Sequence, residues 1–261
     1  MSENNSDQVW KSREKVNYRD TFSKKIKENG FNTTIYRFTK LDHILHLLKT
    51  SELIVSQVKS WEDPFENFLL KTNHDFGSVS VSFADSLPSF YGQCWTLLKE
   101  SDALWRIYSS DKRAVRLKSR INLLGKASLN EINFKPLSTI IRTIGPVEYQ
   151  SQQQIEAWIR RQDIFDNRGN PFLKSLFIKR REFSHEKEVR LIIQKGIEEG
   201  ETYSSSIRLA INPNELIEEI TFDPRIEPPA FETYSEVLKK MGFQNKISKS
   251  RLYEFTPNEV K

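Results

Sequence analysis

Glycine is scarce in this chain, nine in 261 residues, and none of them falls in a G-x-G-x-x-G or P-loop pattern. The usual backbone loops that cradle phosphate are therefore absent. Cysteine is scarcer still: Cys94 stands alone, which excludes an internal disulfide and suits a reducing cytoplasm. The four histidines, His43, His46, His74 and His185, make no zinc-binding spacing. No nucleophile-elbow motif supports a serine or cysteine nucleophile. No apolar run approaches membrane-spanning length, and the opening "MSENNSDQVW" is not a signal peptide. These absences lead to the expectation of a soluble, cytoplasmic protein with no membrane partner.

What is present is ordinary for a globular chain, with a mild basic excess. The net charge of +5 favours a polyanion such as nucleic acid or a phosphorylated cofactor, although a solvated surface accounts for it equally well. The short basic runs "SKKIK" and "KRR" allow RNA or DNA contact by charge but carry no nucleic-acid fold signature.

Along the chain, residues 1–30 read as an N-terminal helical arm and residues 31–261 as a single domain, since no linker-like stretch divides them. "TTIYRF" reads as a strand. Thr39 and Asp42 have capping-box spacing ahead of a helix carrying Leu41, Ile44, Leu45 and Leu48 on one side. "GSVSVSF", "RAVRLK", "HEKEVRLIIQK", "SIRLAI", "EEITFDP" and "KISKSRLY" read as strands. "ESDALWRIYSS", "QQQIEAWIRRQDIF", "PFLKSLFIKRREF" and "PPAFETYSEVLKKMG" read as helices. The two types interleave without a steady βα rhythm, so the expected class is α+β, a mixed sheet with flanking helices.

Four stretches carry chemistry. In "HEKEVRLI" strand alternation puts Glu186, Glu188 and Arg190 on one face, with the two carboxylates about 7 Å apart. The residues themselves allow a solvated ridge softened by Arg190, or a functional pair that orients a sugar hydroxyl and accepts a proton. Arg37, in the middle of "IYRF", either snorkels from a sheet edge or presents a rigid fork to a phosphate. In "SVSVSF" the serines share a face and could line a cleft floor. Trp95, Trp105 and Tyr108 are core packing or a stacking surface for a planar ring. In "WEDPFE", Asp63 and Glu66 either shape a turn or join Glu188 as magnesium ligands, a nuclease-like site.

Taken together, "IYRFTKLDHILHLLKTSELIVSQVKSWEDPFE", "VSFAD", "CWTL…ALWRIYS", "VEY", "KRREFSHEKEVRLI", "IEEITFDP" and "KISKSRLYE" resemble, in order, a widespread bacterial family of unknown function. That family has a Tyr-Arg-aromatic strand, an Asn-Asp-Pro-Phe-Glu turn, a Cys-Trp-Ser…Met-Trp-x-x-Tyr segment and a Glu-x-Glu-x-Arg strand. Here Trp61-Glu62 replaces its Phe-Asn, Thr96 its Ser and Leu104 its Met. More distantly the layout is similar to the arginine-serine-glutamate class of ADP-ribosyltransferases, with Arg37, Ser80-Val81-Ser82 and Glu186-Lys187-Glu188 in the same order. The serine-to-glutamate spacing is long, and no threonine stands within the serine motif.

That resemblance implies a split β-sheet core and NAD as substrate. It implies Arg37 as pyrophosphate clamp, Ser80 and Ser82 lining the nicotinamide pocket, and Trp105 or Tyr108 stacking on the ring. Glu188 would hold a ribose hydroxyl, Glu186 would activate the acceptor, and Arg190 would contact the cofactor. No metal would be required. The acceptor would be a protein or nucleic acid, in a toxin or antiphage effector with an antitoxin or other defence-system partner. Two other readings stay open: a metal-dependent nuclease built on Asp63, Glu66 and Glu188, and a non-catalytic binding module with the glutamates as a salt-bridged ridge.

Overall fold

A computed structural model of the protein describes residues 17–18, 30–61, 63, 66, 68–71, 73–76, 79–82, 89–131, 140–161, 171–196 and 202–255. The strands in chain order are β1 (Asn17–Tyr18), β2 (Thr34–Thr39), β3 (Glu52–Gln57), β4 (Asn73–Phe76), β5 (Val79–Ser82), β6 (Phe90–Thr96) and β7 (Val115–Arg120). They continue with β8 (Ile140–Pro146), β9 (Glu148–Gln150), β10 (Ile178–Arg180), β11 (Glu188–Lys195), β12 (Ser206–Ala210), β13 (Glu219–Phe222) and β14 (Lys246–Lys249). The helices are α1 (Leu41–Thr50), α2 (Phe68–Lys71), α3 (Asp102–Tyr108), α4 (Ile121–Ala127), α5 (Gln152–Arg160), α6 (Pro171–Ser175), α7 (Pro213–Leu216) and α8 (Pro228–Lys240).

The expected α+β class holds. One large mixed sheet runs β1-β8-β11-β6-β2-β7-β13-β14, with β3 paired to β6 and β12 paired to β3. β1 and β14 pair parallel to their neighbours and the other pairs are antiparallel. Of the expected arm over residues 1–30, Asn17–Tyr18 is extended against Thr143 and Ile144 of β8, and residues 1–16 and 19–29 lie outside the described residues.

Both faces of the sheet are covered, which explains why its central strands are hard to read from sequence. On β11, Val189, Leu191 and Ile193 enter the main core with Ile35, Leu117, Ile144 and the α1 residues Leu41, Ile44, Leu47 and Leu48. Ile192 points the other way, into a second cluster of Val58, Phe90, Leu176 and Phe177. The alternation expected for "EVRLII" is therefore real, but its even face is buried under protein rather than wet.

Three local expectations are corrected. α1 starts after Lys40 with no side-chain cap, and the Thr39 hydroxyl pairs with His43 Nδ1 at 2.9 Å instead of closing a capping box. The helix expected over "PFLKSLFIKRREF" is only α6. Phe177 and Ile178 bury at once, and β10 pairs in parallel with β9, so tertiary pairing overrides helical spacing. The strand expected from His185 begins at Glu188, because residues 181–186 form a tight helical turn.

Gly92 of β6 marks where the second face is closed. A Cβ placed there would lie 2.3 Å from Trp61 Cζ2. Trp61 lies within stacking distance of the Arg190 guanidinium, 4.5 Å from ring centroid to Cζ. Gly92→Ala should therefore displace the indole, cost about 1–3 kcal/mol and loosen Arg190. Chemical denaturation together with tryptophan fluorescence would check both effects.

Candidate active site

The site sits where the sheet forks. β2 pairs with β7 along its whole length, but with β6 only at Tyr36↔Thr96. β6 meanwhile stays paired with β11 from Thr96↔Glu188 to Phe90↔Gln194. Beyond that single shared pair the two halves splay, and the opening is lined by Arg37 and Phe38 on one side and Cys94, Trp95 and Thr96 on the other. α3 closes it with Leu104 and Tyr108, and Glu186 and Glu188 form its acidic wall. The enclosed space is about 30 Å³, which suits a sugar hydroxyl or a water pair rather than a ring.

Arg37 also lines a neighbouring, larger cavity of about 160 Å³ between α1 and β3, with Ile44, Leu47 and Leu53 below and His43, His46 and Gln93 at its polar edge. Among the described residues, its guanidinium has no hydrogen-bond or ion-pair partner. Burial lowers its pKa, opposed by Cys94 and Tyr108. An enclosed cation without a counter-ion is costly, and it is a ready receptor for an anion.

The carboxylates are arranged by one backbone feature. Lys187 takes the left-handed conformation, φ 46°, which turns the chain between the 181–186 turn and β11. Both glutamates thereby reach the same ammonium: Lys179 Nζ donates to Glu186 Oε2 and to Glu188 Oε1, each at 2.6 Å. The turn is pinned from the end of β6, where the Thr96 hydroxyl donates to Glu186 O at 2.5 Å and the following Leu97 N donates to Lys187 O at 3.0 Å. Tyr149 OH accepts from Glu188 N at 2.8 Å. A non-glycine residue in this conformation at a site is a constraint that the surroundings must hold.

Glu188 is buried, and its second oxygen accepts from Arg190 Nε at 2.7 Å. Burial pushes its pKa up, but Arg190, the hydrogen bond with Glu186 and Lys179 outweigh that and hold it well below the usual carboxylate range. Glu186 is more exposed and has one cation for company. Burial and its hydrogen bond to Glu188 push its pKa up to about 7. Burial likewise raises the Cys94 thiol, which stays protonated at neutral pH. Tyr108 remains 45% exposed at the mouth, and burial of its phenol end beside Cys94 and the glutamates pushes its pKa up to about 12.

Of the residues singled out in the sequence, Arg37, Glu186, Glu188 and Tyr108 thus meet in one pocket. Trp105 does not offer a stacking face: it is fully buried, packs edge-on against Phe38 at 4.7 Å and donates from Nε1 to Glu100. Arg190 lies beneath the pocket with no exposed surface, donating to Glu188, to Glu66 Oε1 at 2.6 Å and to Leu176 O at 2.7 Å. It supports the carboxylates and presents nothing to a ligand. Ser80 and Ser82 lie on β5, which pairs with β4 in a separate two-stranded sheet, and their side chains are outside the described residues.

Asp63 turns to Arg180 at 3.4 Å, while Glu66 meets Glu188 only through Lys179 and Arg190. Among the described residues no group of three or more His, Cys, Asp or Glu side chains is arranged to hold a metal ion. The glutamate ridge is salt-bridged, as the binding-module reading expects, but it is buried rather than solvated. Sequence reasoning gave no role to Lys179, Tyr149 or Thr96, although all three fall within the quoted motifs. Lys179 was hidden in the charged run "KRREF", where only the strand register of β10 reveals that its side chain turns inward. Among the described residues no helix is long and apolar enough to cross a membrane.

No protein-family model matches the chain, and no curated protein matches it. Among solved structures, the DarT protein of Thermus sp. 2.9 is similar in three complexes. In complex with NAD+ it is 14% identical, covering 88% of this chain and 98% of that chain with a TM-score of 0.39. In complex with carba-NAD+ the figures are 13%, 84%, 96% and 0.37, and in complex with ADP-ribosylated ssDNA they are 14%, 84%, 95% and 0.40. Likeness at this level carries no weight for activity.

Proposed function

We propose that this chain splits NAD at the bond between nicotinamide and ribose and transfers ADP-ribose to a macromolecular acceptor, protein or nucleic acid. Its setting would be that of a toxin or antiphage effector, held in check by an antitoxin or defence-system partner. The observation that carries the reading is that Arg37, whose guanidinium meets no acceptor among the described residues, lines the same forked opening as the Glu186–Glu188 pair. An anion clamp and a carboxylate pair lining one opening suit a phosphorylated sugar, whose phosphate and hydroxyls need those two partners.

In this reading Arg37 grips the pyrophosphate, and the larger cavity beside it gives room for the rest of the dinucleotide. Lys179 and Arg190 each occupy one lone pair of Glu188, and its contact with Glu186 occupies another only while Glu186 is protonated. Glu188 can therefore accept from a ribose hydroxyl and stabilise positive charge as the bond to nicotinamide lengthens. Nicotinamide leaves as the neutral base. The acceptor nucleophile bonds to C1′, and its proton passes to the Glu186 carboxylate. Tyr108, at the mouth, is the aromatic placed to touch the leaving ring.

The pH dependence follows from Glu186. As a proton acceptor it works only when ionised, so transfer should fall about tenfold per pH unit below about 7 and level off above it. Stability should move the other way. The folded protein holds this proton more tightly than the unfolded chain does, so ionising Glu186 between about 4.5 and about 7 costs stability. Glu186→Gln should flatten both trends. Rate profiles and thermal melts over this window measure them, and an acid limb unchanged in Glu186→Gln would assign the base elsewhere.

The function itself is tested by incubating the protein with NAD labelled in its adenylate half and a cell lysate. Label should appear on a macromolecular fraction, and nuclease or protease digestion then tells which class accepts it. Label remaining wholly in small molecules over a range of lysates would refute transfer.

A further inference from the structure

Lys179 is a buried cation in contact with three carboxylates. Its side chain is 8% exposed, its Nζ lies 2.6 to 2.8 Å from carboxylate oxygens of Glu66, Glu186 and Glu188, and it stands 4.6 Å from the Phe183 ring centroid. Arg190 is the second cation of the cluster and bonds Glu66 and Glu188 but not Glu186. Three carboxylates against two cations leave one negative charge in excess. Glu188 has a cation on each oxygen, whereas Glu186 has Lys179 alone. Among the described residues the other titratable groups around the cluster are Tyr149, Cys94 and Tyr108, all held protonated by burial, with Arg180 against Phe183 and Arg37 lining the same opening without an ion pair to either glutamate. His185 lies exposed on the adjoining turn, its Nδ1 beside Glu182 O.

We propose that Lys179 is a positioning residue that divides the labour of the two glutamates: it keeps Glu188 as the charged partner and leaves Glu186 as the carboxyl that takes up and releases the proton. The inference rests on the reading of the pocket as a transfer site, but the charge division it describes exists with or without substrate. Excess charge in a dry cluster is relieved by one proton, and that proton goes to the carboxylate with the fewest cations. Geometry selects Glu186, which also lies nearer the solvent, at 18% side-chain exposure against 7% for Glu188.

The test is the titration of Glu186 in the full-length chain, followed by carbon NMR of labelled glutamate carboxyls and assigned by its loss in Glu186→Gln. Lys179→Met raises the excess to two charges, so Glu186 should release its proton about one to two pH units higher. Adding Glu66→Gln restores the original excess and should bring the titration back. The acid limb of NAD turnover should move with it in both variants. Lys179→Arg keeps the charge and should leave the titration within half a unit of its original place (about 0.5). A purely structural lysine would lower turnover without moving either titration.

Should Lys179→Met fail to fold, the charge-balanced double variant and Lys179→Arg still test the inference: a Glu186 transition displaced in either overturns it, and one that stays with the parent protein agrees with it. An unmoved Glu186 in folded Lys179→Met, or no return in the double variant, overturns the inference. A protein inert towards NAD whose Glu186 nonetheless shifts with Lys179 would sink the proposed reaction and leave this division intact.

Discussion

Arg37→Ala should lower NAD turnover by about two to three orders of magnitude while leaving the folding midpoint within a few degrees of the parent protein. The size of the loss is that of removing one preorganised donor from developing or transferred charge, about 3–4 kcal/mol. The absence of a stability cost follows from what Arg37 touches. Among the described residues nothing accepts from its guanidinium, and a partly enclosed cation without a partner costs the folded state rather than helping it. Arg37→Lys should fall between the two, since an ammonium keeps the charge but cannot grip two oxygens at once. Steady-state kinetics alongside thermal melts measures both effects on one preparation. Alanine at 37 with full turnover would remove the clamp from the account.

The second large effect belongs to the other arginine and runs the opposite way. Arg190→Met should cost about 3–5 kcal/mol, because it strips two buried carboxylates of a shared cation and leaves the Leu176 carbonyl without its donor. At this chain length that is roughly 10–15 °C in Tm. Trp61 would also lose the guanidinium it covers. The expectation that Arg190 contacts the cofactor gives a different result, a raised KM at unchanged Tm. Melting curves therefore separate a support beneath the site from a ligand contact within it. The two arginines look alike in the sequence, each in an apolar strand, and differ in what the fold places around them.

That contrast shows how far the sequence reaches. The amphipathic elements were legible: α1, α5 and α8 from helical spacing, β7, β12 and β13 from short apolar runs, and the parity of β11 from "EVRLII". β6 was not, although it is the central strand of the fork. Six of its seven residues are buried, it carries Gly92 and two aromatics side by side, and it has no period to detect. Arg37 and the glutamates were legible as residues that sit badly in plain strands. Their partners were not. Lys179 reads as one more charge in a basic run until β10 pairs with β9 and turns it inward. The turn at Lys187 carries no glycine or asparagine to announce a left-handed residue, so a straight strand was the natural reading and placed the two carboxylates too far apart.

In the proposed reaction Arg37 and the glutamate pair, lining one forked opening, break the bond between nicotinamide and ribose. The most direct measurement of that cleavage is nicotinamide release from NAD at a pH above that of the Glu186 transition, comparing the parent protein with Glu188→Gln. The amide keeps the shape of the carboxylate and relieves the excess negative charge of the cluster, so the variant should remain folded by circular dichroism. The expected result is steady release by the parent protein in the presence of acceptor, and a fall of at least about a thousandfold in folded Glu188→Gln. Equal release by both proteins would contradict the account.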